Sequence, residues 1–298
     1  MSISTIQNTT ENISLIAAQR QLYTKAKKLR TIRITVSIIL AIIIAPFTVL
    51  KFSELKVVIG ILSSIWLITV FLINFFENRI IKNAATIQEQ FDTTIFNLDW
   101  NKFLAGNKVS TELIVNAARK CKIEKNTLEN WYGNLNEISH KTSILLCQRS
   151  NLVWDWRLRR YFAWTIIISL LLLIGIDIFI GYYIKVSFPD FILGMFLPSI
   201  PAFIMGIRET IEHFEIANNK EKLEVQITNL LDIAIDQNQN ISDVDLRQIQ
   251  DKIFDLRKKG TLIPDWWYKW LKGEFEEDMQ KSTEVYKERM IKTLPNTL

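Results

Sequence analysis

"FAWTIIISLLLLIGIDIFIGYYI", residues Phe162–Ile184, decides the class of this chain. A single acid interrupts an otherwise apolar run that is long enough, as a helix, to cross about 30 Å of hydrocarbon. A core helix of a water-soluble domain keeps a polar face, and this stretch has none. Three more runs read the same way: Ile32–Leu50, Val57–Phe76 and Phe188–Ile207. Short polar links, "KFSELK" at 51–56 and "KVSFPD" at 185–190, join the runs in pairs. The expected fold is all-α and polytopic: four transmembrane helices in two hairpins, plus helical cytoplasmic regions.

The boundaries follow from the runs. An N-terminal cytoplasmic helix covers 1–31, the first hairpin 32–76, a central cytoplasmic helical domain 77–161, the second hairpin 162–207, and a C-terminal cytoplasmic helical region 208–298. A cleaved signal peptide is not expected, because the polar lead is long and no small-residue cleavage site follows the first run.

Composition narrows the function. The chain has 298 residues, 49% of them hydrophobic, and a formal net charge of +5. A basic balance suits nucleic acid or an anionic membrane surface. The apolar runs favour the membrane, and no nucleic-acid polymer is expected as a partner. Cys121 and Cys147 form no C-x-x-C pair, so neither a disulfide framework nor a zinc site is expected. His140 and Cys147 are seven residues apart, about 10.5 Å along a helix, too far for a nucleophile and its base. No glycine-rich phosphate loop is present. Glu209, Glu212 and Glu215 could meet a divalent ion, although such a row is more often a solvated face. The expectation is a protein that is not an enzyme, with no metal and no cofactor.

Positive charge sets the topology. Lys25, Lys27, Lys28, Arg30 and Arg33 surround the start of the first run, Arg79 and Lys82 follow the second, and Arg157, Arg159 and Arg160 precede the third. The hairpin turns hold only Lys51, Lys56 and Lys185, offset by Glu54 and Asp190. Loops rich in Lys and Arg stay in the cytoplasm, so both termini and the central region are expected there. Trp154, Trp156, Arg157, Arg159, Arg160 and Trp164, with Tyr161 among them, read as anchors at the headgroup interface.

Outside the runs the periodicity is helical. Ala84, Ile87, Phe91, Ile95 and Leu98 mark one face that extends the second run. Ser110 is expected to cap a helix over "TELIVNAARK", and Asn126 with Glu129 resembles a capping box. Leu135, Ile138, Thr142, Leu145, Arg149, Leu152 and Trp156 form a stripe that would feed a helix into the third run. Arg149 is the odd member: it pairs with an acid on a neighbouring helix or faces a ligand. Ile216, Leu223 and Leu230 repeat every seven residues. Ser242 opens a helix that ends at "RKKG", and Pro264 and Asp265 open the last one. Trp266, Trp267 and Trp270 could stack a base, pack a small core or dip into the interface.

Asp177 lies well inside the third run. An acid at mid-span costs about 2.5–3.5 kcal/mol on insertion scales. It is expected either to face the bundle or a watery path, as a pore-lining group, or to sit near the outer interface beside Tyr182 and Tyr183. Pro46, Pro198 and Pro201 allow kinks in their spans.

Several stretches together resemble one family. They are "LIAAQRQLYTKAKKLR" before the first run, "FDTTIFNLDWN" after the second, "LENWYGNLNEISHKTSILLCQRSNLVWDWRLRRYFAW" leading into the third, and "TLIPDWWYKWLKGEFEEDMQ" near the end. In combination they are similar to the SMODS-associated four-transmembrane pore-forming effectors of bacterial antiphage (CBASS-type) defence. That resemblance implies a cyclic nucleotide, made by a partner nucleotidyltransferase, as the activating ligand, and a homo-oligomer that permeabilises the inner membrane. It supplies no ligand-contacting residues. Basic and aromatic groups suit such an anion, which makes Arg149, Trp131, Tyr132, Arg208 and Trp266 the candidates. A small transporter, a constitutive channel and a non-conducting membrane scaffold stay open as alternatives.

Overall fold

The structure is a computed structural model that describes residues 2–44, 56–133, 135–237 and 239–293. The fold is all-α, with no strand among the described residues. In chain order the helices are α1 (Ile3–Ile6), α2 (Thr10–Ile39), α3 (Lys56–Phe96), α4 (Lys102–Ala105), α5 (Thr111–Arg119), α6 (His140–Ile184), α7 (Phe188–Phe191), α8 (Leu197–Asp236), α9 (Asp243–Lys258) and α10 (Asp265–Thr293). Among the described residues three stretches are long and apolar enough to cross a membrane: Val57–Phe96, His140–Ile184 and Phe188–Asp236. The first apolar run enters the end of α2 and a π-helical turn at Leu40–Ile44. Its remainder, with Pro46 and most of the first hairpin link, lies outside the described residues.

The chain divides into two compact units, each built from separated segments. One comprises Met1–Lys25, Ile80–Arg159 and Glu215–Leu298; the other comprises Ala26–Arg79 and Arg160–Phe214.

The second unit holds the apolar runs. Ile61, Ile65, Ile68, Phe71, Leu72 and Phe75 of α3, and Ile168, Leu171, Leu172, Ile178 and Phe179 of α6, are all exposed. That apolar surface is the face of a helix meant for lipid. Inside, small residues let the helices close up: Ala41 and Ala202 pack with Leu173, and Ser37, Ser63 and Ser199 are buried. A Cβ added at Gly206 would stand 2.7 Å from Leu170 Cδ2, so glycine sets how closely α8 approaches α6. A second π-helical turn, Ile192–Phe196, leads into α8, whose Pro201 offers no N–H to the turn before it.

The other unit is a water-facing helical domain around Ile16, Ile87, Phe91, Ile95, Leu145, Leu152, Ile227, Leu246 and Ile253. Of the expected stripe, Ala84, Ile87, Phe91 and Ile95 are fully buried, while Leu98 lies past the end of α3 and is half-buried. α3 stops after Phe96 because Asn97 takes a left-handed conformation (φ 54°) and the Leu98 N–H closes on the Thr93 carbonyl at 3.0 Å. Ser110 and Ser242 cap α5 and α9 as expected, accepting from the Leu113 and Asp245 N–H groups.

Two local expectations fail. The Asn126–Glu129 box opens no α-helix: Lys125–Thr127 is a single 3-10 turn, and Asn130 at φ 52° turns the chain away. The stripe from Leu135 begins before its helix. Ser139 accepts from the Thr142 N–H, so α6 starts at His140 and leaves Leu135 and Ile138 ahead of it.

Candidate functional site

At the polar ends of the apolar runs, within the second unit, ionisable side chains are buried together. Arg30 and Arg33 on α2, Glu77 on α3, and Glu209 and His213 on α8 are each no more than 5% exposed. Glu209 receives both arginines, Arg30 on Oε2 and Arg33 on Oε1 at 3.1 Å. Arg33 also donates to Glu77 at 3.0 Å. His213 Nε2 lies 3.3 Å from an Arg30 nitrogen, and the Phe162 ring of α6 meets the imidazole edge-on at 5.0 Å. Two arginines face two glutamates, so the charges balance, and four helices contribute to one knot.

The flanking-charge reading missed this. It took Arg30 and Arg33 as markers of orientation and the glutamates from 209 onward as an ion site or a solvated face. Glu209 is instead an internal ion-pair partner, while Glu212 pairs with Arg208 at 2.7 Å. Among the described residues no group of three His, Cys, Asp or Glu is arranged to hold a metal. The signal that was available is the spacing Arg30–Arg33, which puts both guanidinium groups on one side of a helix.

Asp177 is 3% exposed and turned into the second unit, where Ser199 Oγ donates to its Oδ2 at 3.3 Å; its Oδ1 has no hydrogen-bond partner among the described residues. Tyr182 and Tyr183 are exposed and do not cover it. The acid therefore faces a helix of its own chain, not the outer interface.

The water-facing unit has its own buried network. Asp92, completely buried, accepts from Arg257 at 2.5 Å, from Gln250 at 3.1 Å and from the Tyr132 hydroxyl at 2.9 Å. Nearby, Asp155 takes both Arg159 and Lys220 at 2.5 Å. Burial alone would raise the Asp155 carboxyl, but those two cations hold it well below the usual carboxylate range. Burial pushes Lys220 down to about 8, against the pull of Asp155. Cys147 packs in the core of the unit, and burial pushes its thiol well up.

Four of the five ligand candidates lie in this unit and have separate partners. Arg149 pairs with Glu224 at 2.9 Å, donates to Thr228 and Ser282, and lies over the Tyr286 ring. Of its two readings the structure supports the acid partner. Tyr132 is buried between Phe91, Phe96 and Asp92. Trp131 carries Arg20 on its ring face, and Trp266 is exposed and meets Trp267 edge-on. Arg208 belongs to the other unit. Replacing Arg149 by Ala is expected to lower the thermal midpoint of the purified protein, because it leaves Glu224 without its cation; an unchanged midpoint would show that the pair contributes nothing to stability.

The interface anchors divide as well. Tyr161 and Trp164 are exposed, and Arg157 is exposed above the Trp156 ring. Arg159 is 7% exposed and donates to the Thr261 carbonyl at 2.6 Å as well as to Asp155, so it is an internal residue and not a headgroup anchor. Arg160 is half-buried. The Trp154 side chain lies outside the described set.

Apolar helices of spanning length, a water-facing helical domain on the same chain and a buried ionic knot define a polytopic all-α membrane protein. Residues 1–286 match the family model described as "SMODS-associating 4TM effector domain". The chain belongs to that family. A protein of Bacillus cereus (strain VD146), described as "Probable CBASS effector molecule", is 32% identical over 281 residues, covering 91% of this chain and 93% of its own length. No solved structure matches.

Proposed function

We propose that this protein is a CBASS effector of antiphage defence. A cyclic nucleotide from a partner nucleotidyltransferase triggers it, several copies assemble, and the inner membrane is permeabilised. Both termini face the cytoplasm. Family membership and the relative's description support the defence role, and the Lys and Arg flanks support the orientation.

The observation that carries the switching part of this reading is the knot of Arg30, Arg33, Glu77, Glu209 and His213. A bundle that needed only stability would do as well with packed apolar residues there, because burying charges costs about as much as pairing them returns. Buried ionic groups suit an element with two discrete arrangements, since one displaced partner makes the closed state unfavourable. In the closed arrangement the buried polar groups of the spans, Ser37, Ser63, Asp177 and Ser199, point inward. They become available to water only when the helices part.

The purified protein in liposomes is expected to retain a trapped dye and to release it on addition of one member of a panel of cyclic di- and trinucleotides. Co-expression with the active cognate nucleotidyltransferase should depolarise cells, and a reporter fused to the C-terminus should read as cytoplasmic. Growth arrest at normal membrane potential would remove the pore and favour a scaffold.

A further inference from the structure

In the water-facing unit a cavity of about 580 Å³ opens between α1, the end of α3 and the start of α6. Its floor is apolar, with Ile95 and Leu135 both buried. Its walls carry hydroxyls and amides from Ser4, Thr94, Asn97, Asn136 and Ser143, and His140 stands at the rim. No Lys, Arg, Asp or Glu is among the described lining residues.

We propose that this cavity is the nucleotide site, taking a base and its sugar inside and leaving the phosphates at the mouth. The assignment rests on the reading that a cyclic nucleotide is the trigger. A nucleobase has an apolar face and an edge of donors and acceptors, which matches an apolar floor under a ring of neutral polar groups. A buried phosphate needs cations or several N–H donors. The walls offer no cation among the described residues, so the phosphates stay outside, near His140 at the start of α6.

The position explains how occupancy reaches the apolar runs. Thr94 and Ile95 lie in the last turn of α3, and His140 and Ser143 in the first turn of α6; each helix carries an apolar run further along. α1, just ahead of α2, seats Ile3 in the core of the unit, and polar clips hold it over the cavity. Ser4 donates to Asn136 at 2.9 Å, Gln7 exchanges two hydrogen bonds with the Tyr132 backbone at 3.0 and 2.9 Å, and Asn8 donates to Asn130 at 2.9 Å. Such clips exchange readily for ligand contacts. A smaller hollow of about 340 Å³, lined by residues of α8 and α9, touches only one helix that bears an apolar run.

Two variants test the site in the full chain reconstituted in nanodiscs, titrated with cyclic di-AMP, cyclic GMP–AMP, cyclic di-GMP and cyclic tri-AMP. Thr94 is exposed on α3, so Thr94→Trp fills the cavity from its wall with the helix intact. Asn97→Gly deletes an amide at φ 54°, a conformation glycine adopts freely. The parent chain is expected to bind at least one probe. Thr94→Trp should weaken binding about a hundredfold or more, and Asn97→Gly about tenfold, both with unchanged unfolding midpoints. Binding that neither variant alters would place the nucleotide elsewhere and leave the trigger intact. Failure of every probe to bind the parent chain would overturn both the cavity assignment and the nucleotide trigger.

Discussion

Replacing Glu209 by Ala is expected to cost about 3–5 kcal/mol of stability, because it strips a carboxylate from two buried arginines at once. Arg30 and Arg33 both end on that side chain, and neither has room to reach water. The purified variant should melt well below the parent in detergent, and liposomes that contain it should leak dye with no nucleotide added. A double replacement separates charge from shape. Arg33→Met alone leaves Glu77 buried without its ion-pair partner, whereas Arg33→Met with Glu77→Leu keeps Arg30 and Glu209 balanced and leaves no orphaned charge. The double variant should therefore be more stable than Arg33→Met. A Glu209→Ala protein that melts within about 1 kcal/mol of the parent would mean that the knot is solvated and holds nothing closed.

Asp92→Ala is expected to have an effect of similar size in the other unit, about 3–5 kcal/mol, for the same reason. Asp92 is the common acceptor for Arg257, Gln250 and Tyr132, and its loss leaves the Arg257 cation in a buried site. Tyr132→Phe removes one of those bonds and should cost only about 1 kcal/mol. Chemical denaturation followed by far-ultraviolet circular dichroism distinguishes the two. Equal, small losses for both variants would show that the network contributes little beyond its apolar surroundings.

The helical class, the apolar runs and several helix ends were legible along the chain. Each depends on neighbours a few residues apart: the unbroken apolar run at Phe162–Ile184, the Ser110 and Ser242 caps, and the Ala84–Ile87–Phe91–Ile95 stripe. Local reading failed where a backbone conformation overrode a side-chain pattern. The left-handed Asn130 ended what the Asn126–Glu129 spacing began, and Ser139 capped α6 after Leu135 and Ile138 had already passed.

The partners of charged residues were not legible, because a guanidinium looks the same in sequence whether it faces water, lipid headgroups or a glutamate 179 positions away, as Arg30 does. Orientation signals count positive charges near span ends. They count Arg30, Arg33 and Arg159 as charges and carry no information on their burial. Arg149, singled out because it broke an apolar stripe, proved to be one half of an ion pair with Glu224. The sequence by itself determined that this is an all-α membrane protein with long apolar helices, since local hydropathy and capping chemistry suffice for that. Only the tertiary structure decided which charges are buried against one another and where a cavity opens, since both depend on residues brought together from segments far apart in the chain.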